Sequence, residues 1–254
     1  MKIVILTQDE RSILPDAIDY LLRRLGPDIE VVGGVIFSAS PFGKAEGVIA
    51  KATKVVSIFG LKFAVQYSVA VALQVLFGRG SVRRVLAEHN VEIVPAGQNI
   101  NAPEELDTLA SYDADIFLSI TSNQIFKKPL IELPKLGILN LHTALLPKYR
   151  GLMPTFWVLK NGEKETGVSV FWVDEGIDSG PIVTQKHLSL NPPISQRSLV
   201  KATKILGMEA IVEAVEKIKS GDESVMTNDD EQSTYVRFPT KADALEFVKN
   251  ASFF

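Results

Sequence analysis

Short runs of branched apolar residues alternate with helix-spaced stretches through the first 142 residues, and this rhythm restricts the fold more than any other feature of the chain. Residues 2–6 (KIVIL), 29–37, 91–95, 114–120 and 137–142 are each too short and too β-branched for a helix. Between them, residues 14–25 end at Gly26-Pro27, and residues 82–90, 102–112 and 128–133 have helical spacing. Strands that alternate with helices imply an α/β architecture, a Rossmann-like open sheet, mostly parallel, with helices on both faces. In such sheets ligands bind beyond the carboxyl ends of the strands. Asn140 and His142 stand at one such end.

After residue 150 the rhythm changes. Residues 167–173 and 181–190 read as an antiparallel pair, so antiparallel strands are expected after residue 165, joined by the turn-rich segment 174–180. Ser195 is placed to cap a long helix with an apolar stripe from Leu199 to Ile218 that stops at Gly221. The expected organisation is a catalytic domain over residues 1–218. A polar linker and a short extension packed on the core follow over 219–254, with Pro239-Thr240 opening a last helix.

Residues 43–77 break the pattern, because they supply about two helices where an α/β connection is normally a few residues long. The second half of this insertion is apolar nearly all round. Lys62 interrupts it, and the uncharged run 63–78 is shorter than the roughly 20 residues a membrane span needs. A buried helix, a homodimer face and a helix lying on a membrane surface are the readings that stay open. The amino terminus reads as a first strand rather than a secretory signal, which places the protein in the cytoplasm.

Chemistry concentrates between residues 137 and 180. Strand alternation puts the side chains of Asn140 and His142 on one face, where both can reach a single substrate atom. Asp178 lies in a turn flanked by Gly176 and Gly180. Taken singly, each residue has an ordinary structural reading: a satisfied histidine, a turn aspartate, a capping asparagine. No cysteine is present, His89, His142 and His187 are the only histidines, and no HExxH pairing exists, so no metal site is expected. A GxGxxG after the first strand and a GxxxxGK[ST] are likewise absent, which speaks against a dinucleotide or ATP site.

The residues gain weight as one extended pattern. Asn140-Leu141-His142, Leu146-Pro147-Lys148-Tyr149-Arg150-Gly151, Pro154, Gly167-Val168-Ser169-Val170 and the run from Asp174 to Ile182 together resemble the formyltransferases that use 10-formyltetrahydrofolate. That family includes methionyl-tRNA, glycinamide ribonucleotide and sugar N-formyltransferases. The separation of 36 residues between His142 and Asp178 also fits it. The resemblance covers about residues 90–215 and implies Asn140, His142 and Asp178 as catalytic residues. It further implies a donor pocket formed by Ser119, Ile120, Thr121, Gln124, Ile125 and the segment Val173, Asp174, Glu175, Gly176 and Ile177, with Tyr149, Arg150 and Gly151 toward the acceptor. Residues 121–123 depart from the Gly-Tyr-Arg-type loop that the family often carries there, which bears on how the folate fits.

The resemblance implies 10-formyltetrahydrofolate as formyl donor and a small-molecule primary amine as acceptor; with the sugar N-formyltransferases nearest in character, that amine is expected to be the amino group of a nucleotide-linked amino sugar. The net charge of −3 and the acidic residues Asp222, Glu223, Asp229, Asp230 and Glu231 make nucleic acid an unexpected partner. Formyl transfer to glycinamide ribonucleotide or methionyl-tRNA, hydrolysis of formyltetrahydrofolate, and non-catalytic folate or nucleotide-sugar binding remain the alternatives.

Overall fold

A computed structural model describes residues 1–37, 48–78, 80–95 and 99–254. Seven strands form one mixed sheet: β1 (Lys2–Gln8), β2 (Glu30–Phe37), β3 (Ile93–Val94), β4 (Ile116–Ile120), β5 (Gly137–His142), β7 (Glu165–Trp172) and β8 (Ile182–Ser189), in the spatial order β3-β2-β1-β4-β5-β7-β8. The first five are mutually parallel, while β7 runs antiparallel to both β5 and β8. The expected α/β sheet with antiparallel strands after residue 165 is the one observed.

Alternation along the strands decides which side each residue serves. Ile3, Ile5, Ile116 and Leu118 pack with α1 (Leu14–Arg24), α3 (Val82–Glu88) and the long α7 (Gln196–Lys219). Val4, Leu6, Phe117 and Ile138 face the other way, onto α4 (Pro103–Ala110) and α5 (Lys128–Ile131). Both sheet faces are thereby covered, as parallel sheets require. The Ser195 side chain accepts from the Ser198 N–H at 3.2 Å and caps α7, the position its sequence context predicts.

A third apolar cluster joins α6 (Pro154–Lys160) to α8 (Lys241–Asn250), with Phe156 and Phe247 fully buried and their rings stacked 4.7 Å apart. Thr240 and Asp243 form a reciprocal capping box at the start of α8.

The polar segment 219–235 runs over the surface as a loop and is tied to the body at a few points. Met226 bridges to Ile182, a single 3-10 turn spans Asp230–Gln232, and β9 (Tyr235–Val236) pairs in parallel with β6 (Arg150–Gly151). Part of the expected insertion, residues 43–47, lies outside the described residues. The remainder is α2 (Val48–Phe77), bent at Gly60, where φ is 85°.

Candidate active site

The geometry begins at the end of β5. His142 is its last residue and is 5% exposed. The His142 Nε2 lies 2.8 Å from the backbone carbonyl oxygen of Tyr149. A carbonyl oxygen only accepts, so Nε2 must carry the hydrogen in the neutral ring, and Nδ1 is left as the proton-accepting nitrogen. Nδ1 stands 3.4 Å from Asp178 Oδ2. Protonation there gives an imidazolium that donates at both nitrogens, to a carbonyl on one side and toward a carboxylate on the other.

Asp178 reaches this position because the loop between β7 and β8 folds back over β5. The loop leaves β7 beside Ile138, whose carbonyl accepts the Val173 N–H at 2.8 Å. Asp174 Oδ1 then accepts from the Gly176 N–H and the Ser179 hydroxyl, which closes the turn. A Cβ on Gly180 would meet the Trp172 carbonyl oxygen at 1.8 Å, so only glycine lets the returning chain press so close. Asp178 Oδ2 accepts from the Gly151 N–H at 2.8 Å, while the Asp178 and Gly180 carbonyls each accept from Asn228 Nδ2 at 2.9 Å. Asn140, two residues before His142, is half-buried and lies between Ser119 of β4 and Phe171 of β7 in the strand register.

Thr121, Tyr149, Met153 and Asp178 all hold positive φ, between 50° and 62°. A left-handed backbone costs a non-glycine residue about 1–2 kcal/mol. Such conformations persist where the surroundings impose them, and here they sit on the loops around one histidine.

The expected acceptor residues divide. Gly151 supplies the N–H that orients Asp178, and its φ of 104° together with a Val236 carbonyl 2.3 Å from any added Cβ requires glycine. Arg150 is a correction to the sequence expectation. Its side chain is fully buried and turned inward. Nη1 donates to Asp230 Oδ1 at 2.6 Å and the Tyr235 hydroxyl at 2.9 Å, and Nη2 donates to Asn228 O and Oδ1 at 3.1 and 2.8 Å. Every guanidinium terminus is consumed in holding the 228–235 segment. The Tyr149 hydroxyl is likewise engaged, donating to Glu163 at 2.5 Å while accepting from Asn161 at 3.1 Å. Burial and the Glu163 carboxylate push that phenol up to about 12, so it stays protonated.

The expected donor segments divide too. Ser119 and Ile120 are buried and Gln124 Oε1 accepts the Ile100 N–H, whereas the Ile125 and Ile177 side chains are 82% and 60% exposed. Thr121 caps the end of β4 and its hydroxyl contacts Lys204 Nζ. Burial holds the Lys204 ammonium down to about 8 against the opposing attraction of Glu10.

Four positioning residues escape local sequence reasoning. Ser169 lies opposite His142 in the sheet register, donates to the Ala144 carbonyl at 2.8 Å and accepts from the Leu146 N–H and Gln185. Gln185 also binds the Leu146 carbonyl at 2.9 Å, so the two side chains fix the loop that follows His142. Asn228 and Lys204 have no local signal beyond a polar loop and a helix stripe. Their partners lie 50 and 83 residues away.

The formyl transferase sequence profile matches residues 78–215, more than half of the chain, and includes Asn140, His142 and Asp178. This chain belongs to the formyl transferase family. Its relatives include the methionyl-tRNA formyltransferase of Kosmotoga olearia, 35% identical over 164 residues, which are 65% of this chain and 52% of that protein. The methionyl-tRNA formyltransferase of Thermotoga maritima is 34% identical over 171 residues, 67% of this chain and 54% of its own length. The chain thus spans about half the length of these curated relatives.

Among solved structures, the phosphoribosylglycinamide formyltransferase of Anaplasma phagocytophilum shares the fold with a TM-score of 0.64 at 14% identity, covering 93% of this chain and 99% of that one. The N-formyltransferase of Helicobacter canadensis, solved in complex with folinic acid and dTDP-3-aminofucose, matches with a TM-score of 0.56 at 16% identity, covering 93% of this chain and 71% of that one. The family's sequence relatives and its structural neighbours therefore carry different acceptors in their names.

Proposed function

We propose that this protein transfers the formyl group of 10-formyltetrahydrofolate to a primary amine, and that the amine is carried by a nucleotide-linked amino sugar. The observation that carries the reading is the His142–Asp178 pair, with its Nε2–H already committed to the Tyr149 carbonyl. The acceptor nitrogen attacks the formyl carbon and forms a C–N bond. The carbonyl electrons move to oxygen, where Asn140 Nδ2 donates to the developing oxyanion, a contact of a kind worth roughly 3–4 kcal/mol. The proton lost by the amine passes to His142 Nδ1, directly or through water held by Asp178, and the imidazolium is balanced by that carboxylate. Collapse breaks the bond to the folate nitrogen, which takes the proton and leaves as tetrahydrofolate.

The donor assignment is supported by family membership and by the folinic acid named with the Helicobacter canadensis enzyme. Support for an amino-sugar acceptor comes from the dTDP-3-aminofucose in the same complex. The net charge of −3 and the exposed Glu231 in the turn beside the Gly151 loop are also ill suited to a long polyanion. A second reading, transfer to methionyl-tRNA, is favoured by the names of the sequence relatives.

A mass-spectrometric assay separates the two. The protein is incubated with 10-formyltetrahydrofolate and, in turn, nucleotide-linked amino sugars, glycinamide ribonucleotide and methionyl-tRNA. An N-formyl sugar is the expected product. Formylation of the tRNA alone would establish the second reading, formate without acceptor would make the protein a hydrolase, and binding without turnover would make it a folate-binding protein.

A further inference from the structure

The helix α2 carries apolar residues on the side away from the protein as well as on the side toward it. Its inner side is occupied by aromatic contacts. Phe59 meets Phe253 at 5.7 Å and Phe238 at 6.2 Å, and Phe63 meets Phe253 at 4.9 Å and Phe254 at 5.7 Å. Further along, Gln74 donates to Asp16 of α1 at 3.0 Å. The helix therefore lies along the body at both its middle and its end, rather than projecting from it.

On the outer side, Leu61, Val65 and Val69 recur every four residues and Leu76 follows two turns later, all more than half exposed, while Leu73 borders the cleft toward Asp16 and Arg197. At 1.5 Å per residue this stripe is roughly 22 Å long. The window Ala52–Gln74 has a mean hydropathy of 1.6, enough by length and composition for a bilayer, yet none of it is buried. A helix that is apolar all round is normally covered all round. One side of this one has no cover among the described residues.

Charge distinguishes the candidates for that cover. From residue 52 to residue 78 the helix carries Lys54 and Lys62 and no acidic residue, in a chain whose net charge is −3. Two copies meeting on the stripe would bring cations against cations, which penalises association. An anionic lipid surface meets the same residues with complementary charge and accepts the apolar stripe into its headgroup boundary.

We propose that α2 seats this protein on an anionic bilayer, lying in the interface with the Leu61–Leu76 stripe toward the lipid. The inner side of the helix touches Phe156 of α6, the helix that follows the Arg150–Gly151 loop beside Asp178. The seat therefore leaves the catalytic end of the sheet close to the membrane surface.

Flotation of the full chain with phosphatidylcholine vesicles, with and without about one-third phosphatidylserine, tests the proposal. The chain is expected to float with the mixed vesicles at least tenfold better than with neutral ones, and to be released as salt rises from about 0.1 to about 0.5 M. The exposed Lys62→Gln variant should bind about fivefold more weakly, and the Val65→Glu/Val69→Glu double variant should stay at the bottom. Lys62→Gln keeps the test decisive even if the double variant fails to fold. Wild-type chain left at the bottom with both vesicles overturns the proposal. So does a sedimentation-velocity dimer that the double variant dissolves, since the stripe would then belong to a second copy.

Discussion

Replacing Arg150 by methionine separates a residue that holds the site from one that binds substrate. Methionine matches most of the length of the arginine stem but leaves four hydrogen bonds unmade. The bond to Asp230 contributes least, because that carboxylate is 82% exposed and water replaces the guanidinium readily. The loss at Asn228 is larger. Its side-chain oxygen and its carbonyl both lie in buried contacts with Nη2, and a buried acceptor left without a donor costs about 1–3 kcal/mol. The two buried Asn228 acceptors left without donors together give a destabilisation of about 3–5 kcal/mol. For a chain of this size that lowers Tm by roughly 6–20 °C. Because Asn228 Nδ2 also holds the Asp178 and Gly180 carbonyls, turnover should fall along with Tm. Thermal melts by circular dichroism, paired with steady-state kinetics, make the measurement. An unchanged Tm with a raised KM for the acceptor would refute the structural role and return Arg150 to the substrate.

Gly180→Ala should force the returning loop away from Trp172, lowering kcat with a melting temperature reduced by only a few degrees; wild-type kcat would contradict the close approach. Lys204→Met should stabilise the protein at neutral pH. A lysine held at about 8 when folded but at 10.5 when free is charged at a cost, so the penalty is complete below about pH 8 and fades as pH rises toward 10.5. The Tm difference between variant and wild type should shrink across that window, and a constant difference would argue against desolvation. Asp243 shows the opposite sign. Burial pushes its carboxyl up, but hydrogen bonds from Thr240 and Arg237 outweigh this and hold it at about 2, so its stabilisation is present above 3.8 and lost as pH falls through 2. Asp243→Asn should cost about 1–2 kcal/mol near neutrality, with the gap to wild type closing at about pH 2 in denaturant titrations.

The sheet and its covering helices were legible because they rest on local periodicity. Ile3 and Ile5 face one side and Val4 and Leu6 the other, and the Leu199-to-Ile218 stripe sits on a helix opened by a capping serine. His142 was likewise placed at a strand end by its run of apolar neighbours. Arg150 was misread because its partners lie 78 to 85 residues away, and nothing in a local window tells an inward-facing arginine from one that awaits a ligand. The 219–235 segment is a surface loop, as its polarity suggests, but its attachments escape a local window for the same reason. Its polarity reads as a linker, while its structure comes from Met226 pairing with Ile182 and from β9 pairing with β6. Asp178 lay between the two cases. The glycines marked a tight turn, but only the fold-back over β5 brings its carboxylate to His142.

The central claim is that the His142–Asp178 pair moves the acceptor's proton during formyl transfer. Single-turnover transfer from an isotope-labelled 10-formyltetrahydrofolate to the amine that the wild-type protein accepts tests it directly, comparing wild type with His142→Ala and Asp178→Ala at matched folding. Each variant should slow the labelled transfer by at least about a hundredfold, the scale of a lost acid–base group. Transfer at the wild-type rate in either variant would contradict the account.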